Sequence, residues 1–259
     1  MNSAMQLPLD VRMMNAITPW LMMAFALISA GMLIAWALNS ASFSIRSIVI
    51  VGDVQHNNAL TIKANVMPKL AGSFFTLDLM RARQAFESVP WVRKASVSRE
   101  FPNRLKVLLQ EHQAIAYWGS ESESKLINSY GEIFDANQGE VEHENLPRLA
   151  GPDHQAKTVL SLYTQLKAAF ANLDLEIDQL DLSGRGSWLI RLDNGAQIML
   201  GRGTEQEIGD RVKLFLNTLT RVTARYGRKP EALEYADLRH VNGFALRLRG
   251  VTTTEPVSK

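Results

Sequence analysis

At 259 residues the chain is too long for one small domain and long enough for two modest ones. Hydrophobic residues make up 46% and charged residues 21%; 28 Lys plus Arg against 26 Asp plus Glu leave a formal charge of +2, so a core is affordable and nucleic acid is not favoured as a partner. Having no cysteine, the chain has no disulfides, thiolate metal sites or cysteine nucleophiles, which suits an oxidising compartment without requiring one.

The first element is a run of 19 uncharged residues, Trp20 to Leu38. At ~1.5 Å rise per residue it covers about 28 Å, close to the hydrocarbon thickness of a bilayer. Trp20 and Trp36 stand near its two ends, where interfacial rings belong. A buried helix is the plainer alternative, and a cleaved signal peptide the stronger one, with Ala35-Trp36-Ala37 as a small-x-small site. Against cleavage, the run exceeds the usual ~7–15 residue apolar region, and only Arg12, opposed by Asp10, precedes it. The expectation is an uncleaved anchor over residues 20–39 behind a cytoplasmic tail at 1–19. Arg12 before the span and Arg46 after it orient it weakly, and the bulk of the chain following one anchor places that bulk outside.

Phe43, Ile45, Ile48 and Ile50 then read as a strand ending at the turn signal Gly52-Asp53. Ala59 to Leu70 reads as a short helix ended by Pro68 and Gly72. Leu79, Ala82, Phe86 and Val89 recur at three and four and form one helical stripe, stopped by Pro90. Next comes a strand carrying Arg93, Ala95, Val97 and Arg99 on one face, a Phe-Pro-Asn turn, and a strand in which Leu105, Val107 and Leu109 alternate with polar residues. The order is β-α-α-β-β, which two helices on one face of a three-stranded sheet satisfy.

The stretch "VPWVRKASVSREFPNRLKVLLQE", Val89 to Glu111, resembles the signature of the FtsQ/DivIB cell-division family. That family's POTRA domain has a helix-ending Pro-Trp-Val, a basic strand, an aromatic-Pro turn and a strand ending in Glu, in the β-α-α-β-β order and directly after one membrane helix. The resemblance implies a POTRA domain at 43–112.

Short strands follow around Ala114–Trp118, Leu126–Asn128 and Ile133–Phe134, the last two joined by a Ser-Tyr-Gly turn. "LPRLAGPD" leads into a helix from Gln155 to Leu173, with Val159, Leu162, Tyr163, Leu166 and Phe170 on one face. Strands at Ile177–Leu182, Ser187–Leu192 and Gln197–Leu200 follow, the last two joined at Asp193-Asn194-Gly195, where Asn-Gly tolerates positive φ at both central positions. Thr204 caps a helix running to about Tyr226. "DLRHVNGFALRLRG", Asp237 to Gly250, reads as strand, tight turn and final strand, the strand covering Gly243 to Arg249. "LPRLAGP", "SWLIRLDNGAQIMLGRG" and "DLRHVNGFALRL" also resemble the FtsQ pattern, with two departures: His240 stands where many members have Tyr, and Leu248 where some have Trp. The expected fold class is α+β: a single N-terminal transmembrane helix, the POTRA domain, a mixed-sheet β domain with two long helices at 113–250, and a flexible tail at 251–259.

Catalytic and metal patterns are weak. "GRGTEQ", Gly201 to Gln206, has Gln where a dinucleotide loop has its third glycine, lacks a βαβ frame with a downstream acid, and has no Gly-Lys-Ser/Thr. His56, His112, His143, His154 and His240 show no HExxH spacing, and no G-x-S-x-G occurs. Arg93, Lys94 and Arg99 read first as a solvated strand face and second as a contact for lipid phosphate or a partner. No cofactor, metal, nucleic acid or small-molecule substrate is expected.

A final strand left open at its edge exposes unpaired N–H and C=O groups, a hazard unless another chain adds a strand there. The resemblance implies that such a strand takes FtsB. The expected partner-binding residues are Arg239, His240, Asn242, Gly243, Phe244, Ala245 and Leu246, with Arg239 facing a partner carboxylate and Arg185 supplying a second cation. It further implies a non-enzymatic, single-pass type II protein of the bacterial inner membrane, its bulk in the periplasm and concentrated at the septum. This protein would link early and late division proteins, with FtsL, FtsK and others as partners. Two other classes stay open: an anchored envelope enzyme such as a cell-wall hydrolase, marked by pocket carboxylates of raised pKa, and an outer-membrane biogenesis factor, marked by repeated modules or a barrel.

Overall fold

The computed structural model describes residues 9–38, 43–52, 54–56, 58–123, 125–141, 145–240 and 243–252. Its first element is a 30-residue helix, α1 (Leu9–Leu38), beginning upstream of the apolar run and carrying Pro19 inside it. Ala16–Trp36 is long and apolar enough to cross a membrane, and none of that stretch is buried. The chain divides into two compact units between Glu111 and His112, with α1 counted in the first.

In the first unit, β1 (Ser47–Gly52), α2 (Ala59–Val66), α3 (Leu79–Glu87), β2 (Val92–Glu100) and β3 (Arg104–Glu111) follow in the β-α-α-β-β order. The sheet order is β1-β3-β2, with β3 parallel to β1 and antiparallel to β2. Strict alternation along β3 buries Leu105, Val107 and Leu109 against Ile62 and Val66 of α2 and Phe86 of α3. Both helices start on a side-chain cap: Asn58 accepts from the Leu60 amide, and Asp78 from the Met80 and Arg81 amides. The helix expected over Ala59 to Leu70 ends at Val66 and tightens into a 3-10 turn at Met67–Lys69, because Pro68 has no N–H to continue the ladder. Gly52 closes β1 at φ +122°; a Cβ there would lie 2.1 Å from the Leu109 carbonyl oxygen, so only glycine permits this approach.

The β2 face named in the sequence is mixed. Ala95 is buried and Val97 half-buried, while Arg99 is exposed, as a solvated strand face requires, yet its head group is bonded within the unit. Its guanidinium donates to the carbonyls of Phe74 (2.5 Å), Phe75 (3.3 Å) and Leu77 (2.6 Å), carbonyls that no regular element satisfies.

The second unit is a nine-stranded mixed sheet. Its strands are β4 (Ala114–Trp118), β5 (Lys125–Asn128), β6 (Ile133–Phe134), β7 (Arg148–Ala150), β8 (Ile177–Leu182), β9 (Ser187–Leu192), β10 (Gln197–Arg202), β11 (Leu233–Asp237) and β12 (Ala245–Leu248). They lie in the order β12-β11-β10-β9-β8-β7-β4-β5-β6. Two helices, α4 (Ala156–Ala171) and α5 (Glu205–Arg225), pack on β7–β8 and on β10, and against each other. Their stripes, Val159, Leu162, Leu166 and Phe170 on one and Ile208, Val212, Phe215 and Leu219 on the other, are fully or almost fully buried on the sheet.

Four local expectations are corrected. "LPRLAGPD" contains β7, a three-residue strand parallel to both its neighbours, too short to show alternation. The Asp193-Asn194-Gly195 loop has positive φ at Gly195 and not at Asn194. It is a three-residue loop in which the Asn194 side chain accepts from the Ala196 amide (2.9 Å) and donates to the Glu231 carbonyl (3.0 Å). The terminal hairpin lacks a tight turn: β11 ends at Asp237 and β12 starts at Ala245, so the final strand is shorter than Gly243 to Arg249.

A βαβ frame does surround "GRGTEQ", because β10 and β11 pair in parallel across α5. The helix N-terminus is nevertheless filled from within. The Thr204 side chain accepts from the Glu207 amide, and the Glu207 carboxylate accepts from the Thr204 amide at 2.8 Å. Those bonds from Thr204 hold the Glu207 carboxyl below its usual pKa, so a carboxylate stands where a nucleotide phosphate would sit.

Candidate partner-binding edge

β12 ends the sheet, paired with β11 alone among the described residues. Its register sets Ala245 opposite Asp237, Leu246 opposite Ala236, and Arg247 opposite Tyr235. The Arg249 amide donates to the Ala232 carbonyl (2.8 Å), so it points toward β11. Amide direction alternates along a strand, and the register shift lies on β11. Ala245, Arg247 and Arg249 therefore turn their N–H groups inward, and Leu246 and Leu248 turn theirs to the open edge.

Side chains alternate too. Leu248 is buried, Leu246 and Phe244 are half-buried, and Ala245, Arg247 and Arg249 are exposed. Phe244 meets Phe215 of α5 edge-on, with centroids 5.7 Å apart. Arg247 pairs with Glu234 of β11 (3.2 Å), Arg249 donates to the Asn194 carbonyl, and Arg228 donates to the Gly250 carbonyl (3.1 Å). The strand is thus fixed on its inner side, while its outer row of backbone groups is left for solvent or a partner.

Arg239, His240, Gly243 and Phe244 line one open groove of about 570 Å³ with Asp210, Arg211 and Leu214 of α5. Asn242 lies outside the described residues. Arg185 is exposed on the β8–β9 turn. Strand pairing puts that turn at the same end of the sheet as Asp237 and Ala245, but β10 and β11 intervene between β9 and β12, about 14 Å in strand spacing. Arg185 therefore belongs to the same rim without joining the groove.

The expected role of Arg239 also changes. Its Nε donates to Asp237 Oδ1 (2.9 Å) and its Nη2 to Oδ2 (2.6 Å), a fork that already neutralises its charge while leaving half the side chain exposed. Gly201, at φ +80°, makes room for it, since a Cβ there would come within 2.9 Å of Arg239 Cγ. The Arg239 side-chain bonds, ahead of opposing burial, lower the Asp237 pKa from 3.8 to about 2. A depressed carboxylate adds stability above its unfolded pKa and loses it as pH falls through the folded one. Comparing Asp237→Asn with the parent by denaturant titration should give a difference of about 1 kcal/mol, reduced by the exposure of Arg239, that holds down to about pH 4 and vanishes near pH 2. A difference unchanged down to pH 2 would show that the fork does not carry it.

Two histidines are structural. His56 stacks on Trp91 (centroids 3.8 Å), with Glu111 accepting from the Gln55 and His56 amides, and His112 stacks on Phe134 (4.1 Å). Among the described residues no three His, Cys, Asp or Glu side chains gather as metal ligands.

The family model for the C-terminal region of cell division protein FtsQ/DivIB matches residues 116–239, and that for the FtsQ-type POTRA domain matches 43–112. Cell division protein FtsQ of Burkholderia pseudomallei is 40% identical over 93% of this chain and 94% of its own length. The chain belongs to the FtsQ/DivIB family. Its FtsQ relatives in Thiomonas arsenitoxydans and Bordetella pertussis are each 34% identical, covering 95% and 92% of this chain and 90% and 92% of theirs. As an FtsQ-family member it is a cell division protein of α+β fold, with a POTRA domain, a mixed-sheet β domain and one candidate N-terminal membrane helix. The C-terminal match stops at Arg239, short of β12.

Proposed function

We propose that this protein is a bitopic, non-enzymatic assembly factor of the divisome that binds FtsB by adding a strand to β12. α1 crosses the inner membrane, the two folded units lie in the periplasm, and the protein gathers at the septum, where it joins FtsB, FtsL and FtsK and links early to late division proteins. The observation that carries this reading is the open edge of β12, with the Leu246 and Leu248 amides facing outward beside a groove holding Arg239, His240 and Phe244. The rival hydrolase needs a carboxyl group of raised pKa, whereas those of Glu87, Glu207 and Asp237 are lowered.

A pair of prolines tests it. Leu246→Pro removes an outward amide, and Ala245→Pro removes an inward one that serves β11. In the purified full-length chain, Leu246→Pro should weaken FtsB binding by more than about tenfold, roughly 1.4 kcal/mol, with the smaller loss of melting temperature of the two. Ala245→Pro should lower the melting temperature more. Unchanged FtsB affinity in a folded Leu246→Pro protein would refute strand addition at this edge.

A further inference from the structure

The POTRA unit exposes an aromatic lip at the end of its sheet where the chain enters. Phe101 is 76% exposed and Phe75 43%, while Phe74 beneath them is buried. Phe75 meets Phe43 (centroids 5.1 Å) and Phe74 (5.2 Å), and Phe74 meets Phe101 (6.4 Å), so four rings form one connected patch. Strand register locates it: Ser47, the first residue of β1, pairs with Arg104, directly after the Phe101 turn, and the Arg46 amide donates to the Asn103 carbonyl (3.0 Å). The lip is held rigidly. The Phe74 amide donates to the Phe43 carbonyl (2.7 Å), and the three Arg99 bonds fix the carbonyls of Phe74, Phe75 and Leu77. A loose loop would fold such rings inward; this one is braced with two of them outward.

What covers the patch follows from chain length. Only residues 39–42 separate Leu38, the end of α1, from Phe43. Whatever path they take, five residue steps reach at most roughly 17 Å. If α1 spans the bilayer, Phe43 cannot leave the vicinity of the headgroups, and Phe75 and Phe101 are one and three ring contacts further on. Arg46 and Arg104 stand beside the rings, Arg104 shared with Glu100 (3.4 Å), and suit the phosphate layer above an apolar insertion. We infer that Phe75 and Phe101 insert into the outer rim of the bilayer and hold the POTRA unit down on the lipid surface. This inference rests on the reading of α1 as a membrane span.

The absence of native cysteine makes the test clean. Single cysteines at Phe101, Phe75, Leu108 and Ala26 in the full-length chain would be labelled with a nitroxide after reconstitution in liposomes. Collisions with oxygen, which partitions into lipid, are then compared with collisions with a polar nickel complex. Leu108 is a fitting control: it is 53% exposed on β3, four residues or ~13 Å along the strand from Arg104. The expected result is an oxygen-to-nickel ratio at 101 and 75 at least roughly threefold above that at 108 and approaching that at 26. Watery values at 101 and 75 with lipid values at 26 would overturn the lip and leave the span standing. Watery values at 26 would remove the span, and the lip with it.

Discussion

Val107→Asp is expected to unfold the POTRA unit while leaving the second unit intact. Val107 is fully buried on β3, the central strand, facing Ile50 on β1 and Val97 on β2 across the ladder. The core cluster it joins includes the apolar side chains of Ile62, Val66, Phe86 and Leu105, which cannot offset a carboxylate. An unpaired carboxylate there costs several kcal/mol, either directly or by taking up a proton. That compares with a total stability of roughly 0.1 kcal/mol per residue, so a unit of this size has little margin. Val97 is half-buried, and Val97→Asp should cost less because its carboxylate keeps part of its water. The check is a calorimetric scan of the full-length chain. Loss of one transition, with the other within a few degrees of its original midpoint, is the expected trace. A single shifted transition would mean that the two units unfold together.

Phe215→Ala should have the second large effect, and its reach extends to the binding edge. Phe215 is fully buried on α5, within the core that Leu233, Ala236 and Leu248 also enter. Truncating a buried phenylalanine costs about 3–5 kcal/mol through lost transfer energy and the cavity left behind. It also removes the ring that Phe244 meets edge-on. The residue leading into β12 then loses its inner anchor, so FtsB affinity should fall together with stability. Phe215→Leu, which refills much of the volume without the ring, should recover most of the melting temperature and less of the affinity. Full recovery of both would mean that the ring contact does not position the edge.

The local chemistry of the chain was legible from residues alone. The helical stripe through Leu79, Ala82 and Phe86, and the one through Ile208, Val212 and Phe215, give α3 and α5, because an amphipathic period is written into one continuous segment. Thr204 marks a helix start because an N-cap bonds only two or three residues ahead. The alternation of Leu105, Val107 and Leu109 identifies β3 and its buried face for the same reason.

Tertiary structure decided what depends on residues far apart in the chain. β7 lies inside the sheet because β4 and β8 flank it; three residues carry no period to reveal that. Arg99 and Arg239 looked like available cations, yet one is spent on three carbonyls and the other on Asp237, since a charge pattern does not say which acceptors folding brings near. Arg185 shares the rim with Arg239 but stands strands away, a separation set by sheet order rather than by sequence spacing. The direction of the Leu246 amide is likewise a property of register: a shift of one residue against β11 would turn the Ala245 and Arg247 amides outward instead, with the same residues in the same order.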